Sequence, residues 1–246
     1  MPDLTGQVCV ITGAAGRIGR ACVARFLEAG ARVIAVDIVQ ADIEGVPAGD
    51  YVKMDQGNPS HLSILTQCLQ ASNTKHIDVL VNNGASGGNR APFHEKTLAE
   101  YDEVMETNVK GPLFLSQLAI RMHLAQPEAD RHELSIVNIA STAGHRATDQ
   151  ASIYSMSKHA LIGMTKNVAV EYAALGVRCN SVSPGIMNVP NVQGFSSDQL
   201  KAMTSKVPMQ RGGKPSEVAN VVCFLASAEA SYITGTDVLV TGGSTA

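Results

Sequence analysis

The chain predicts an α/β fold: one domain with a doubly wound parallel sheet and helices on both of its faces. Three observations carry that expectation. Short apolar, β-branched runs alternate with segments of helical periodicity along the whole sequence, three glycines separate the first run from the first helix, and polar residues recur where the runs end. Ligands on such a sheet bind outside the carboxyl ends of the strands, so Asp37, Asp55, Asn82, Ser141 and Ser183 are expected to share one rim. At 246 residues and 45% hydrophobic, the chain has enough apolar material to bury the core of one such domain.

The first unit, residues 8–37, is the most informative. Val8 to Ile11 reads as a strand, and Gly13, Gly16 and Gly19 follow at three-residue spacing. A helix from about Ile18 then carries Ala21, Cys22, Phe26 and Leu27 on one face, and it stops at Gly30, which suits a left-handed helix end. A second strand, Arg32 to Val36, ends in Asp37. Glycines let backbone N–H groups approach a pyrophosphate, and the positive end of the helix dipole lies behind them. Asp37, about 20 residues past the glycines, is placed to accept from both adenosine ribose hydroxyls and to repel a 2′-phosphate, which favours NAD over NADP. Arg17, inside the turn, pulls the other way, and Asp37 is weighted above it because its carboxylate would meet a 2′-phosphate directly.

The alternation continues. Tyr51 to Met54 is a short strand ending in Asp55, His61 to Ala71 a helix, and Ile77 to Val81 a strand ending in Asn82, Asn83, Gly84 and Ala85. Thr97 opens a helix past Met105, and Asn108 is expected to begin a longer one through about His123. Gln126 to Glu133 is polar, contains Pro127 and reads as a loop. Leu134 to Ile139 is a strand, Ile153 to Leu175 a long helix stopped by Gly176, and Val177 to Val182 a strand leading to Ser183, Pro184 and Gly185. Residues 186–213 hold one short helix, at about Asp198 to Lys206. Ser216 is expected to cap a helix through Ala226, and Asp237 to Val240 is the last strand.

Other classes are excluded or disfavoured. A net charge of −3 with no basic run gives no footprint for nucleic acid. There is no 18-residue apolar span and no signal-peptide pattern, so no membrane partner and a cytoplasmic location are expected. The five cysteines and seven histidines lack metal-ligand or redox spacing, so no metal is expected.

A second constellation combines Ser141, Tyr154 and Lys158. Tyr154 and Lys158 are four apart and project from one helix face. Alone, such a pair is an ordinary amphipathic feature; after a strand-end serine and a dinucleotide turn it acquires a chemical reading. Hydride transfer at a secondary alcohol needs a group that takes the hydroxyl proton, and a phenol of ordinary pKa, about 10, is too weak a base near neutrality. A nearby ammonium would stabilise the phenolate, and Ser141 would hold the substrate oxygen against it.

These motifs, end to end, resemble the short-chain dehydrogenase/reductase family: TGAAGRIG at 12–19, DVLVNNGA at 78–85, NVKGPLFL from Asn108, IASTAG followed by YSMSK, VSPG at 182–185 and YITGTDVLVTGG at 232–243. The resemblance implies a catalytic tetrad of Asn108, Ser141, Tyr154 and Lys158, with the lysine also binding the nicotinamide ribose and the asparagine supporting a water-linked proton relay. It implies a cofactor site of Gly13, Gly16, Ile18, Gly19, Asp37, Asp55, Asn82, Gly84, Tyr154, Lys158, Pro184, Gly185 and Ile186, to which the chain's own Arg17, either pairing with phosphate or pointing away, and Asn188, whose amide can serve the nicotinamide carboxamide, are added. It also implies assembly as a homotetramer through the helices near 97–123 and 153–175 and the C-terminal strand. Four departures are visible: Arg17 where the family has its middle glycine, NNGA for NNAG, Asn188 where a threonine is common, and Thr241 for an aspartate. The NNGA swap is expected to change little.

Substrate choice is assigned to Ser86 to Phe93, Gly144 to Gln150 and Ile186 to Lys206, the last a partly apolar lid with Met187, Val189, Val192, Phe195 and Met203. Arg90, His94, His145 and Arg146 are the candidate polar readers. The expected activity is NAD(H)-dependent oxidation of a small or medium secondary alcohol, or reduction of its ketone. The alternatives are an NADP(H)-dependent ketone reductase such as an oxoacyl reductase, and a catalytically silent nucleotide-sensing scaffold.

Overall fold

The computed structural model describes residues 2–188 and 197–245. Val189, Val192 and Phe195 of the expected lid lie outside the described residues. Seven strands form one sheet: β1 (Val8–Thr12), β2 (Arg32–Asp37), β3 (Tyr51–Lys53), β4 (Val79–Asn82), β5 (Leu134–Ile139), β6 (Val177–Pro184) and β7 (Asp237–Val240). They lie in the order β3-β2-β1-β4-β5-β6-β7 and every pairing is parallel. The chain winds outward from β1 in one direction and then from β4 in the other. The crevice where the winding reverses therefore opens above β1 and β4.

The helices are α1 (Arg17–Glu28), α2 (Leu62–Ala71), α3 (Leu98–Met105), α4 (Gly111–Leu124), α5 (Ser152–Tyr172), α6 (Ser197–Thr204) and α7 (Pro215–Ala226). Alternate strand residues serve opposite faces. Cys9, Ile11, Val79, Val81, Val137 and Ile139 pack with Cys22, Val23 and Phe26 of α1 and Val218, Val222 and Leu225 of α7. Val10, Ile34, Leu80 and Ile136 pack with Leu65 and Leu69 of α2, Leu115 and Ala119 of α4 and Ala169 of α5. Both faces of the sheet are covered, which is why its strands read as apolar runs without alternation.

Two expectations are corrected. Asn108 does not begin a helix: α3 and α4 are one continuous helix, joined by a π-helical turn over Glu106–Lys110 that contains it. No breaker separates the two segments, and the wider turn accommodates Pro112, which has no N–H to offer the preceding turn. The cap of α7 is Lys214, not Ser216. Pro215 occupies the first helical position, and the Lys214 N–H donates to Glu217 Oε2 at 2.6 Å. The long helix reaches its expected stop: α5 ends at Tyr172, a 3₁₀ turn continues it over Ala173–Leu175, and Gly176 is left-handed at φ +81°.

Candidate active site

The glycine turn is built by tight packing. Gly13 has φ +61°, and a Cβ there would fall 2.7 Å from Gly84 Cα. Only glycine lets the β1 and β4 ends approach this closely. Thr12 Oγ1 accepts from the Asn83 and Gly84 N–H groups at 3.1 and 3.0 Å, and Asn83 Nδ2 donates to the Thr12 and Gly13 carbonyls. Asn83 is thus a brace that sequence reasoning did not single out.

Behind the turn, the first turn of α1 has no side-chain cap at Gly16 and no acidic residue. Its positive end faces the crevice uncompensated, which suits a pyrophosphate. Gly16 and Arg17 are exposed there, Ile18 is half-buried and Gly19 buried.

Asp37 closes the adjoining side. Its Oδ2 accepts the Ala15 N–H at 2.8 Å and its Oδ1 the Val39 N–H at 3.1 Å. A carboxylate offers about four lone-pair directions, so both oxygens keep one for ribose hydroxyls. Asp55 is half-buried, and its Oδ1 accepts the Gly57 N–H at 2.8 Å.

Asn82 closes β4 at its carboxyl end, with its side chain turned inward. Its side chain is 2% exposed and points into the layer under α4, donating to Asn138 Oδ1 at 2.8 Å and Ser116 Oγ at 3.3 Å. The amide nitrogen is therefore used inside the sheet layer, while Oδ1 is buried without a partner.

On the other side of the crevice, the Ser141 hydroxyl neighbours that of Tyr154. It also accepts the Ala143 N–H at 3.1 Å as the start of a 3₁₀ turn. Burial pushes the Tyr154 phenol up, and the neighbouring Ser141 hydroxyl pulls against that. Lys158 is buried. Its Nζ donates to the Ile139 carbonyl at 2.7 Å and lies 5.6 Å from the Tyr154 ring centroid, and burial pulls its ammonium down to about 8. In the protein alone, desolvation outweighs the phenolate stabilisation expected of Lys158.

Asn108 is 1% exposed. Its Oδ1 accepts the Ser86 N–H at 2.8 Å, and its Nδ2 donates to the Ser86 carbonyl at 2.8 Å and to Ser157 Oγ at 3.0 Å. The amide ties the loop after β4 to α5, one residue before Lys158. Ser157, which also donates to the Tyr154 carbonyl, is a second brace not identified from sequence.

The segment after Pro184 runs beside Gly213. Asn188 N–H donates to the Gly213 carbonyl at 2.7 Å, and Gly213 N–H donates to the Ile186 carbonyl at 2.9 Å. Gly185 packs so closely on Thr241 that a Cβ would be 3.0 Å from its Cα. Asn188 itself is exposed.

Of the four polar readers, Arg90 donates to the Asp149 carbonyl at 3.0 Å, His94 is exposed beside Glu95, and Arg146 is exposed. His145 Nε2 lies 2.8 Å from Asp237 Oδ2 and 3.3 Å from Ser183 Oγ. A serine relay needs the two ring nitrogens to face different partners, so this knot fastens the Ser141 segment to β6 and β7 rather than activating Ser183. Among the described residues no cluster of three His, Cys, Asp or Glu could hold a metal ion, and no helix is long and apolar enough to cross a membrane.

Sheet and crevice together define a doubly wound, dinucleotide-binding type of fold. Comparison with known proteins gives the family. A family model described as enoyl-(acyl carrier protein) reductase matches residues 13–245. The 3-oxoacyl-(acyl-carrier-protein) reductase of Thermotoga maritima is 34% identical over 98% of both chains. The aldohexose dehydrogenase of Thermoplasma acidophilum superposes with a TM-score of 0.86 at 35% identity, covering 98% of this chain and 94% of that one. The 3-ketoacyl-(acyl-carrier-protein) reductase of Brucella melitensis, complexed with NADH, gives 0.88 at 28%, covering 99% and 100%. The chain belongs to the short-chain dehydrogenase/reductase family, and it is an oxidoreductase of alcohols or ketones.

Proposed function

We infer that the protein is an NAD(H)-dependent oxidoreductase that interconverts a small or medium secondary alcohol and its ketone. The observation that carries the cofactor preference is Asp37. Its carboxylate stands at the end of β2 with Oδ2 on the Ala15 N–H of the glycine turn, where a 2′-phosphate would meet negative charge. The NADH complex of the Brucella relative supports the same reading.

When bound, the nicotinamide accepts or supplies the hydride. The chain's own groups do the rest. Ser141 and Tyr154 hold the substrate oxygen between two hydroxyls, and Tyr154 takes or returns its proton. Lys158, anchored by Ile139, adds positive charge beneath the ring. Asn108 fixes the floor of the cleft through Ser86 and Ser157.

The rim is pre-formed. Asn89 N–H donates to Glu100 Oε1, and the buried Lys96 pairs with that same carboxylate at 2.7 Å. Arg90 and the Ala91 N–H reach the Asp149 and Gln150 carbonyls of the facing loop. The exposed apolar residues Leu98 and Tyr101 on α3, Leu113 on α4, and Met156 and Val170 on α5 support assembly with further copies of the chain, and a homotetramer is proposed.

The test is a paired titration with NADH and NADPH, followed by a 340 nm screen of polyols, sugars, hydroxy acids and cyclic alcohols. NADH preference with turnover of one class supports the reading. Preference for NADPH would overturn it in favour of a ketone reductase in which Arg17 outweighs Asp37.

A further inference from the structure

Gln56 lies just past β3 and is 8% exposed. Its Nε2 donates at 2.8 Å to two carbonyls, that of Gly84 at the cleft and that of Thr107 in the π-helical turn. Two carbonyl acceptors fix which end of the amide faces them.

The Thr107 carbonyl needs an outside donor. In the π turn the Gly111 N–H donates to the Glu106 carbonyl, five residues back. The next donor in that register would come from position 112, and Pro112 has no N–H. The carbonyl freed by the wide turn and the proline is the one that Gln56 satisfies. The fit around it is close: a Cβ on Gly111 would lie 2.8 Å from the Gln56 carbonyl oxygen. A Cβ on Gly84 would fall onto Gln56 Oε1 and 2.9 Å from its Cδ. The NNGA order, expected to matter little, therefore has a cause: glycine at 84 admits the Gln56 amide.

We propose that Gln56 is a positioning residue, its one amide locking both the Gly84 peptide of the cofactor cleft and the π turn that orients Asn108. Gly84 and Gln56 form a matched pair, so neither is replaceable alone. The cofactor arm of the test rests on the dinucleotide reading, and the exchange arm does not.

In the first arm, NADH is titrated by fluorescence against Gly84→Ala, Gln56→Ala and the double variant. Gly84→Ala should weaken NADH about tenfold, and the double variant should bind more tightly than Gly84→Ala because the added Cβ then has space. Binding by Gly84→Ala within about twofold of the parent, or no recovery in the double variant, would overturn the matched pair.

In the second arm, Gln56→Met keeps length and loses both N–H donors. Hydrogen exchange should quicken in peptides covering 106–113 and Ser86, whose N–H rests on Asn108, with the rest of the sheet unchanged. Unaltered exchange in both segments would remove Gln56 from the positioning of Asn108. Should the parent protein bind neither NADH nor NADPH, the dinucleotide reading fails while the exchange arm still decides the clamp.

Discussion

Lys158 Nζ lies 5.6 Å from the centre of the Tyr154 ring, one turn away on α5, and one of its N–H groups donates to the Ile139 carbonyl. Burial pulls this ammonium down to about 8 from an ordinary 10.5. Between those values the unfolded chain binds the proton and the folded chain does not, so stability must rise as pH climbs from about 8 towards 10.5. The charged form is disfavoured in the fold below that window by about 3 kcal/mol. Lys158→Met should therefore be the more stable protein at pH 7, and the difference from the parent should shrink by pH 9.5, as read by urea unfolding at both pH values. A gap that does not change with pH would place the ammonium in contact with solvent.

Tyr154→Phe removes the hydroxyl that meets Ser141 and leaves the ring packed. Turnover should fall by roughly 10²- to 10⁴-fold, the range of a general acid–base group, while NADH affinity stays near that of the parent. Retained turnover would take tyrosine out of the proton transfer.

Asp37 has two duties, and a substitution should separate them. Asp37→Ala deprives the Ala15 and Val39 N–H groups of their acceptor, a loss of about 1–3 kcal/mol in stability. It should also shift preference from NADH towards NADPH. Chemical denaturation measures the first and paired cofactor titration the second. A variant that keeps its NADH preference would move cofactor discrimination away from this carboxylate.

The Lys96–Glu100 pair has side-chain exposures of only 8% and 7%, and Glu100 also holds the Asn89 N–H. Glu100→Ala would leave the Lys96 ammonium only the Asn89 carbonyl and deprive the Asn89 N–H of its acceptor, so a loss of about 1–3 kcal/mol is expected in a urea titration. A change under about 1 kcal/mol would mean that Lys96 escapes to water without disturbing the rim.

Much of the fold was legible because both faces of a parallel sheet are dry, which leaves long apolar runs in the sequence. The glycine turn and Asp37 were legible because their spacing is local. The π turn was not. Its register depends on Gln56, which is 51 residues from Thr107, and nothing between Met105 and Gly111 announces it. The inward turn of the Asn82 side chain was hidden for a related reason. All four residues of β4 are buried, so alternation gave no sign of which way its last side chain points. The amide that turns to the glycine loop belongs to the next residue, Asn83.

The bonds from Arg90 and Ala91 to the Asp149 and Gln150 carbonyls join two loops that the sequence separates by more than fifty residues. They make the two walls of the proposed substrate mouth a single cassette. A change of one wall is felt by the other, so a new specificity grafted from a relative would have to bring both walls together, with Gln150 kept in its left-handed conformation at φ +57°.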